Sequence, residues 1–227
     1  MSVDLRFRLC EKLYLREPQD SKLGRRIIES SILLIDNLGF EAFTFKKLGN
    51  EIGSPEASIY RYFENKHMLL VYLINWYWEW ISYRIESNIK NLDDPNKVLK
   101  KTLAAIIESR AKDTDFSFVD EPTLHKVVIA EASKAYHTKH IDDENRDGFF
   151  KSYKDLVSRI ADIIKQVDPT YKYPRSLASN LFEMINNQLY FAEHLPKLTD
   201  FKSQKNIAKD INKMVEYYLE RLLSIKL

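Results

Sequence analysis

The stretch from Thr44 to Leu70, TFKKLGNEIGSPEASIYRYFENKHMLL, decides how this chain is read. Thr44 has the hydroxyl of a helix N-cap, and Phe45, Leu48 and Ile52 recur at helical spacing behind it. Gly53 then supplies the left-handed backbone that stops a helix. A second helix follows at once, with either Ser54 as its cap and Pro55 in its first position, or the cap one residue later. Two short helices joined by a tight Gly-containing turn form a helix-turn-helix, whose second helix is shaped to enter a DNA major groove.

In that second helix Ile59 and Phe63 anchor one face, leaving Glu56, Ala57, Ser58, Tyr60, Arg61 and Tyr62 around the others. Small residues in its first turn allow close approach to base edges. Ser58 and Arg61 are the candidates for base contacts, and Tyr60, Tyr62 and Lys66 for phosphate contacts that set the register. Thr44, Lys47 and Ala57 complete the expected DNA-binding set.

With the upstream segment RRIIESSILLIDNLGFEAFTF, this stretch resembles the DNA-binding domain of the TetR family of bacterial transcriptional regulators. Gly39, Phe40, Thr44, Leu48, Gly53, Ile59, Tyr60, Tyr62, Phe63, Lys66 and Leu69 fall on the family pattern in register, from about Leu23 to Leu70. Departures lie inside it. Gly49 stands where the family usually has Ala, Ser54 where it has Val, and Pro55-Glu56-Ala57-Ser58 where Ser-Lys-Gly-Thr is common. Glu56 favours the helix dipole but repels phosphate, so it either accepts from a cytosine amino group or contacts no DNA.

Bulk charge does not carry this reading. The chain has 35 Lys or Arg against 33 Asp or Glu, and from Met1 to Met68 the count is eleven against ten. With five Gly in 227 residues and few strand-like alternations, the expected fold is all-α, with nine or ten helices. The expected organisation is an N-terminal extension over 1–20, a three-helix helix-turn-helix domain over 21–68, and a larger helical bundle over 69–227. In the extension, Val3, Leu5, Phe7 and Leu9 alternate like a strand while Leu9 and Leu13 suit a helix. Arg6, Arg8, Lys12 and Arg16 make it basic, so it either touches DNA backbone or packs on the body. The first long helix is expected to bury Ile27, Ile28, Ile32, Leu34, Ile35 and Leu38.

Cys10 stands alone, which excludes an internal disulfide or a multi-cysteine metal site and suits a reducing cytoplasm. The aromatic run from Met68 to Tyr83 contains Asn75 and Glu79 and reads as a buried helix rather than a membrane span. MSVDLRFRLC lacks the features of a signal peptide. No Gly-rich phosphate loop or nucleophile elbow appears, so no enzyme, cofactor or metal is expected. His137 and His140 beside Asp142 and Asp143 read as a solvated loop.

In the body, Tyr72, Trp76, Trp80, Phe116, Phe118, Phe182 and Tyr190 either line an apolar ligand pocket or form plain core. Tyr72, Trp76 and Trp80 lie four residues apart on the helix that begins near Lys66 and joins reader to body. The last two helices, from Pro174 to His194 and from Phe201 to Leu223, carry wide apolar stripes. Leu177, Leu181, Ile185 and Leu189 form one; Ile207, Ile211, Met214, Val215, Tyr218, Leu219 and Leu222 form the other. Such stripes either close the monomer core or form the four-helix dimer interface that the resemblance implies. The resemblance further implies a cytoplasmic homodimeric repressor, bound to palindromic double-stranded DNA and released by a small-molecule effector. The alternative is a constitutive DNA-binding or scaffolding protein whose C-terminal domain serves protein association alone.

Overall fold

The computed structural model describes residues 6–110, 118–201, 206–223 and 225. Among these residues there are ten α-helices and no strand, as an all-α chain requires. They are α1 (Lys22–Leu38), α2 (Phe45–Glu51), α3 (Glu56–Tyr60), α4 (Lys66–Ile89), α5 (Pro95–Ile107), α6 (Glu121–Tyr136), α7 (Ile141–Arg146), α8 (Lys151–Val167), α9 (Pro174–His194) and α10 (Ile207–Leu222). The last helix begins later than its apolar stripe suggested, at Ile207 rather than Phe201.

The helices form two compact units. The first takes in residues 1–80 and 110–153, the second residues 81–109 and 154–227. In the first, α1 starts where the Ser21 hydroxyl accepts the Gly24 N–H at 3.0 Å and stops at Gly39, whose φ is 75°. Ile27, Ile28, Ile32 and Ile35 are fully buried on α1. Leu34, at the edge of this stripe, is half-buried, and Leu38, the last residue of the helix, is exposed. Every residue of α4 from Leu69 to Trp78 is buried, so that this stretch has no polar face. Asn75, mid-way along it, satisfies its amide by donating to the Val71 carbonyl at 2.8 Å.

Residues 6–20 form neither strand nor α-helix. Two 3-10 turns, Glu11–Leu13 and Pro18–Asp20, break the segment, and Phe7, Leu9 and Leu13 are buried against the first unit. From Arg6 to Leu9 the alternation in the sequence reflects alternate burial, without a partner strand among the described residues, and Val3 and Leu5 lie outside them.

In the second unit Asp94 caps α5, accepting the Asn96 N–H at 3.0 Å, and α10 packs on both α5 and α9. Leu99, Leu103, Ile160, Ile164, Leu181, Ile185, Ile211, Val215 and Leu219 fill its core. Lys100 pairs with Glu216 at 3.5 Å, and Arg159 pairs with Glu86. Among the described residues no helix is long and apolar enough to cross a membrane.

Candidate nucleic-acid interface

The helix-turn-helix is built from short-range signals. Thr44 caps α2 through its hydroxyl, which accepts the Lys47 N–H at 3.2 Å. Gly53 adopts φ 58°, and Pro55, not Ser54, occupies the N-cap of α3. At Gly49 the turn folds back so tightly that a Cβ would stand 2.7 Å from the Ser54 carbonyl oxygen. Glycine at this position is therefore a packing requirement of this particular turn.

The open face of α3 presents Ala57, Tyr60 and Arg61, with Lys46 and Lys47 exposed on α2. Tyr60 is 47% exposed, and its ring meets Phe45 edge-on at 5.0 Å, which fixes its direction while leaving one side open. The Arg61 guanidinium donates to the Ser58 hydroxyl at 3.2 Å. Ser58 is itself nearly buried, so it orients Arg61 more than it meets a partner. Lys47 Nζ donates to the Ala42 carbonyl at 2.7 Å, and Glu56 is half-buried in the first turn. Lys46, outside the set expected from the sequence, is exposed on the same helix as Lys47.

Two of the expected phosphate contacts sit elsewhere. Tyr62 is 2% exposed and turns inward, where its hydroxyl pairs with that of Ser21 at 2.7 Å. The Lys66 ammonium donates to the carbonyls of Phe40, Glu41 and Phe43 at 3.0, 3.1 and 3.3 Å, with the Phe40 ring 4.7 Å away. It binds together the turn between α1 and α2, its ammonium held by carbonyls of residues that lie outside both helices.

From the other side, Glu131 on α6 accepts the Phe40 N–H at 3.0 Å and pairs with Lys134 at 2.5 Å. The hydrogen bond from Lys134 to Glu131 is the main cause raising the lysine's pKa. His67, in the first turn of α4, meets Glu144 of α7 at 2.7 Å. The turn before α2 is thus tied to α6, and the start of α4 to α7, within the same unit.

The expected pocket residues are divided between the two units. Tyr72, Trp76 and Trp80 are fully buried, with Trp76 edge-on to Phe118 at 6.3 Å and to Phe7 at 5.1 Å. Phe182 and Tyr190 belong to the other unit, the first buried and the second exposed. Phe116 lies outside the described residues. His137 and His140 are exposed at the turn between α6 and α7.

Residues 27–73 match the sequence profile of a family described as bacterial regulatory proteins, tetR family. This stretch of the chain is therefore a TetR-type domain. Members of the family are DNA-binding transcriptional regulators, and the TetR-type domain of this chain is the helix-turn-helix just described. No curated protein sequence matches the chain. Solved structures share its fold at low identity. A transcriptional regulator from Rhodococcus sp. Rha1 is 11% identical with a TM-score of 0.63, covering 92% of this chain and 97% of its own. The ketosteroid transcriptional regulator KstR2 of Mycobacterium tuberculosis is 13% identical with a TM-score of 0.59, covering 88% and 95%. AibR, solved with isovaleryl coenzyme A and operator DNA, is 14% identical with a TM-score of 0.60, covering 88% and 98%.

Proposed function

We propose that this chain is a homodimeric, cytoplasmic repressor of the TetR family that reads a palindromic operator with the open face of α3. The observation that carries the reading is the arrangement of Tyr60 and Arg61, held in fixed directions by Phe45 and Ser58, beside the exposed lysines of α2. Arg61 reads a base edge, while Tyr60, Lys46 and Lys47 contact phosphate. Ala57 lets the helix approach the groove, and Thr44 fixes the start of α2. Functionally the chain divides into extension 1–20, reader 21–68 and body 69–227.

The dimer forms through α9 and α10. Leu181, Ile185, Leu189, Ile207 and Ile211 are consumed by the monomer core, leaving Leu177, Met184, Met214, Tyr217, Tyr218 and Leu222 to meet a second copy. Tyr218 and Leu222 are 43% and 50% exposed beside a groove of about 580 Å³ between these helices. Apolar side chains at this exposure on two adjacent helices support a self-complementary contact.

By its likeness of fold to AibR, the body is proposed to bind an acyl-type effector that alters its hold on DNA. One observation favours the constitutive alternative: the Tyr72 and Trp76 face of α4, the natural place for such a molecule, is packed by Phe7 and Tyr14 of the chain itself. Enrichment of duplexes from a random pool by the purified chain tests the DNA reading. A palindrome with half-sites about one DNA turn, or a multiple of it, apart is expected, and failure to enrich any sequence would overturn it. Loss of that complex on adding acyl coenzyme A esters separates the repressor with effector from the constitutive binder.

A further inference from the structure

Residues 6–20 precede the part of the chain that matches the family, yet they touch three elements of the reader unit. Pro18 lies so close to α1 that a Cβ on Gly24 would stand 2.2 Å from its carbonyl oxygen. Gln19, 1% exposed, brackets Phe7 by accepting its N–H at 3.3 Å and donating to its carbonyl at 2.8 Å. Phe7 and Tyr14 then meet Trp76 and Tyr72 of α4 edge-on at 5.1 and 5.9 Å, and the Tyr72 hydroxyl donates to Glu17 at 3.1 Å. Two cations of the segment turn to the protein as well. Arg6 pairs with Asp20 at 2.6 Å, and Lys12 pairs with Asp147.

The segment also grips the end of the recognition helix. Leu15 N–H donates to the Tyr62 carbonyl at 2.8 Å, and the Arg16 guanidinium lies 5.5 Å from the centre of the Tyr62 ring. Tyr62 follows directly on the C-cap of α3, Arg61. Its carbonyl is therefore bound from outside the helix-turn-helix, while its hydroxyl is held by Ser21 before α1. A five-residue helix has few bonds of its own with which to fix the direction of its last turn.

We propose that residues 6–20 are a positioning strap of the DNA reader, setting the direction of Arg61 by holding Tyr62 against α1 and α4. This rests on the reading of α3 as the DNA-contacting helix. The strap acts through Tyr62 and not through DNA: Leu15, its side chain exposed, contributes a backbone N–H, and Gly24 contributes the absence of a side chain.

Those two positions give the test. Leu15→Pro deletes the N–H, and Tyr14 already has the extended backbone that precedes a proline, with φ −143° and ψ 152°. Leu15→Ala keeps the N–H and is the control. Gly24→Ala drives a methyl group into Pro18 from a helical position where alanine is otherwise favourable. Full-length proteins are titrated with the duplex enriched by the wild type and with random duplex. Leu15→Pro and Gly24→Ala are expected to lose about fivefold or more on the enriched duplex and much less on random DNA, with helix content retained and Leu15→Ala unchanged. Wild-type affinity in both variants, or an equal loss on both duplexes, overturns the proposal. Should neither variant fold, amide exchange in the wild type decides: Leu15 N–H must be protected together with the α3 amides, and faster exchange at Leu15 overturns it. A wild type that enriches no duplex would refute the DNA reading instead.

Discussion

Glu131 of α6 accepts the backbone N–H of Phe40 at 3.0 Å, while Lys66 of α4 takes the Phe40 carbonyl at 3.0 Å. Two side chains of opposite charge thus hold both faces of one peptide segment in the turn that leads into α2. The turn is specified by tertiary partners as much as by its own glycine.

Truncating Glu131 leaves a buried N–H without an acceptor. Glu131→Ala is expected to cost about 1 to 3 kcal/mol, measured by urea unfolding, whereas Glu131→Gln keeps an acceptor and loses less. Equal stability of the alanine variant and the wild type would remove the Phe40 contact from the account.

Gly49 and Gly53 are required for different reasons. At Gly49 the obstacle is the Ser54 carbonyl 2.7 Å from a built Cβ, so Gly49→Ala must shift the α2–α3 turn and is expected to cost roughly 1 to 3 kcal/mol. At Gly53 nothing lies within 4 Å of such a Cβ but φ is 58°, so Gly53→Asn is tolerated better than Gly53→Val. Thermal unfolding of the three variants checks the order.

Dimerisation is expected to fail when a charge is placed on the outer face of α10. Leu222→Asp puts a carboxylate in the proposed contact while sparing the monomer core, since Leu222 is 50% exposed. Sedimentation should show a folded monomer with weakened operator binding; an unchanged dimer places the interface elsewhere.

Burial first, and then the charge of Glu17, raise the Tyr72 pKa well above its ordinary value of 10.0. As pH climbs through 10, the unfolded chain releases this proton and the folded chain keeps it, so the unfolded state binds fewer protons and stability falls. Tyr72→Phe is expected to flatten the loss of stability between neutral pH and pH values above about 10, read from denaturant midpoints across that range. An unchanged slope would mean that Tyr72 ionises as freely folded as unfolded.

What the sequence revealed and what it concealed divide along a physical line. Thr44, Gly39, Gly53 and the start of α4 at Lys66 were legible because caps and glycine turns depend on neighbours within a few residues. The inward turn of Tyr62 was not, since its hydroxyl partner Ser21 is 41 residues away. Lys66 reads in the sequence as a phosphate contact, but its ammonium turns to carbonyls 23 to 26 residues upstream. Periodicity marked Tyr72 and Trp76 as buried without saying what buries them; Phe7 and Tyr14 do so from a segment whose fold has no regular period.

The central claim is that the open face of α3 reads base edges through Arg61. Its most direct test is the base preference of the Arg61→Ala chain, profiled by duplex selection beside the wild type. The account predicts a folded dimer that loses discrimination at one symmetry-related base pair in each half-site, by about 1 to 3 kcal/mol, while the other positions keep their preferences. An unchanged preference at every position, with affinity intact, would contradict it.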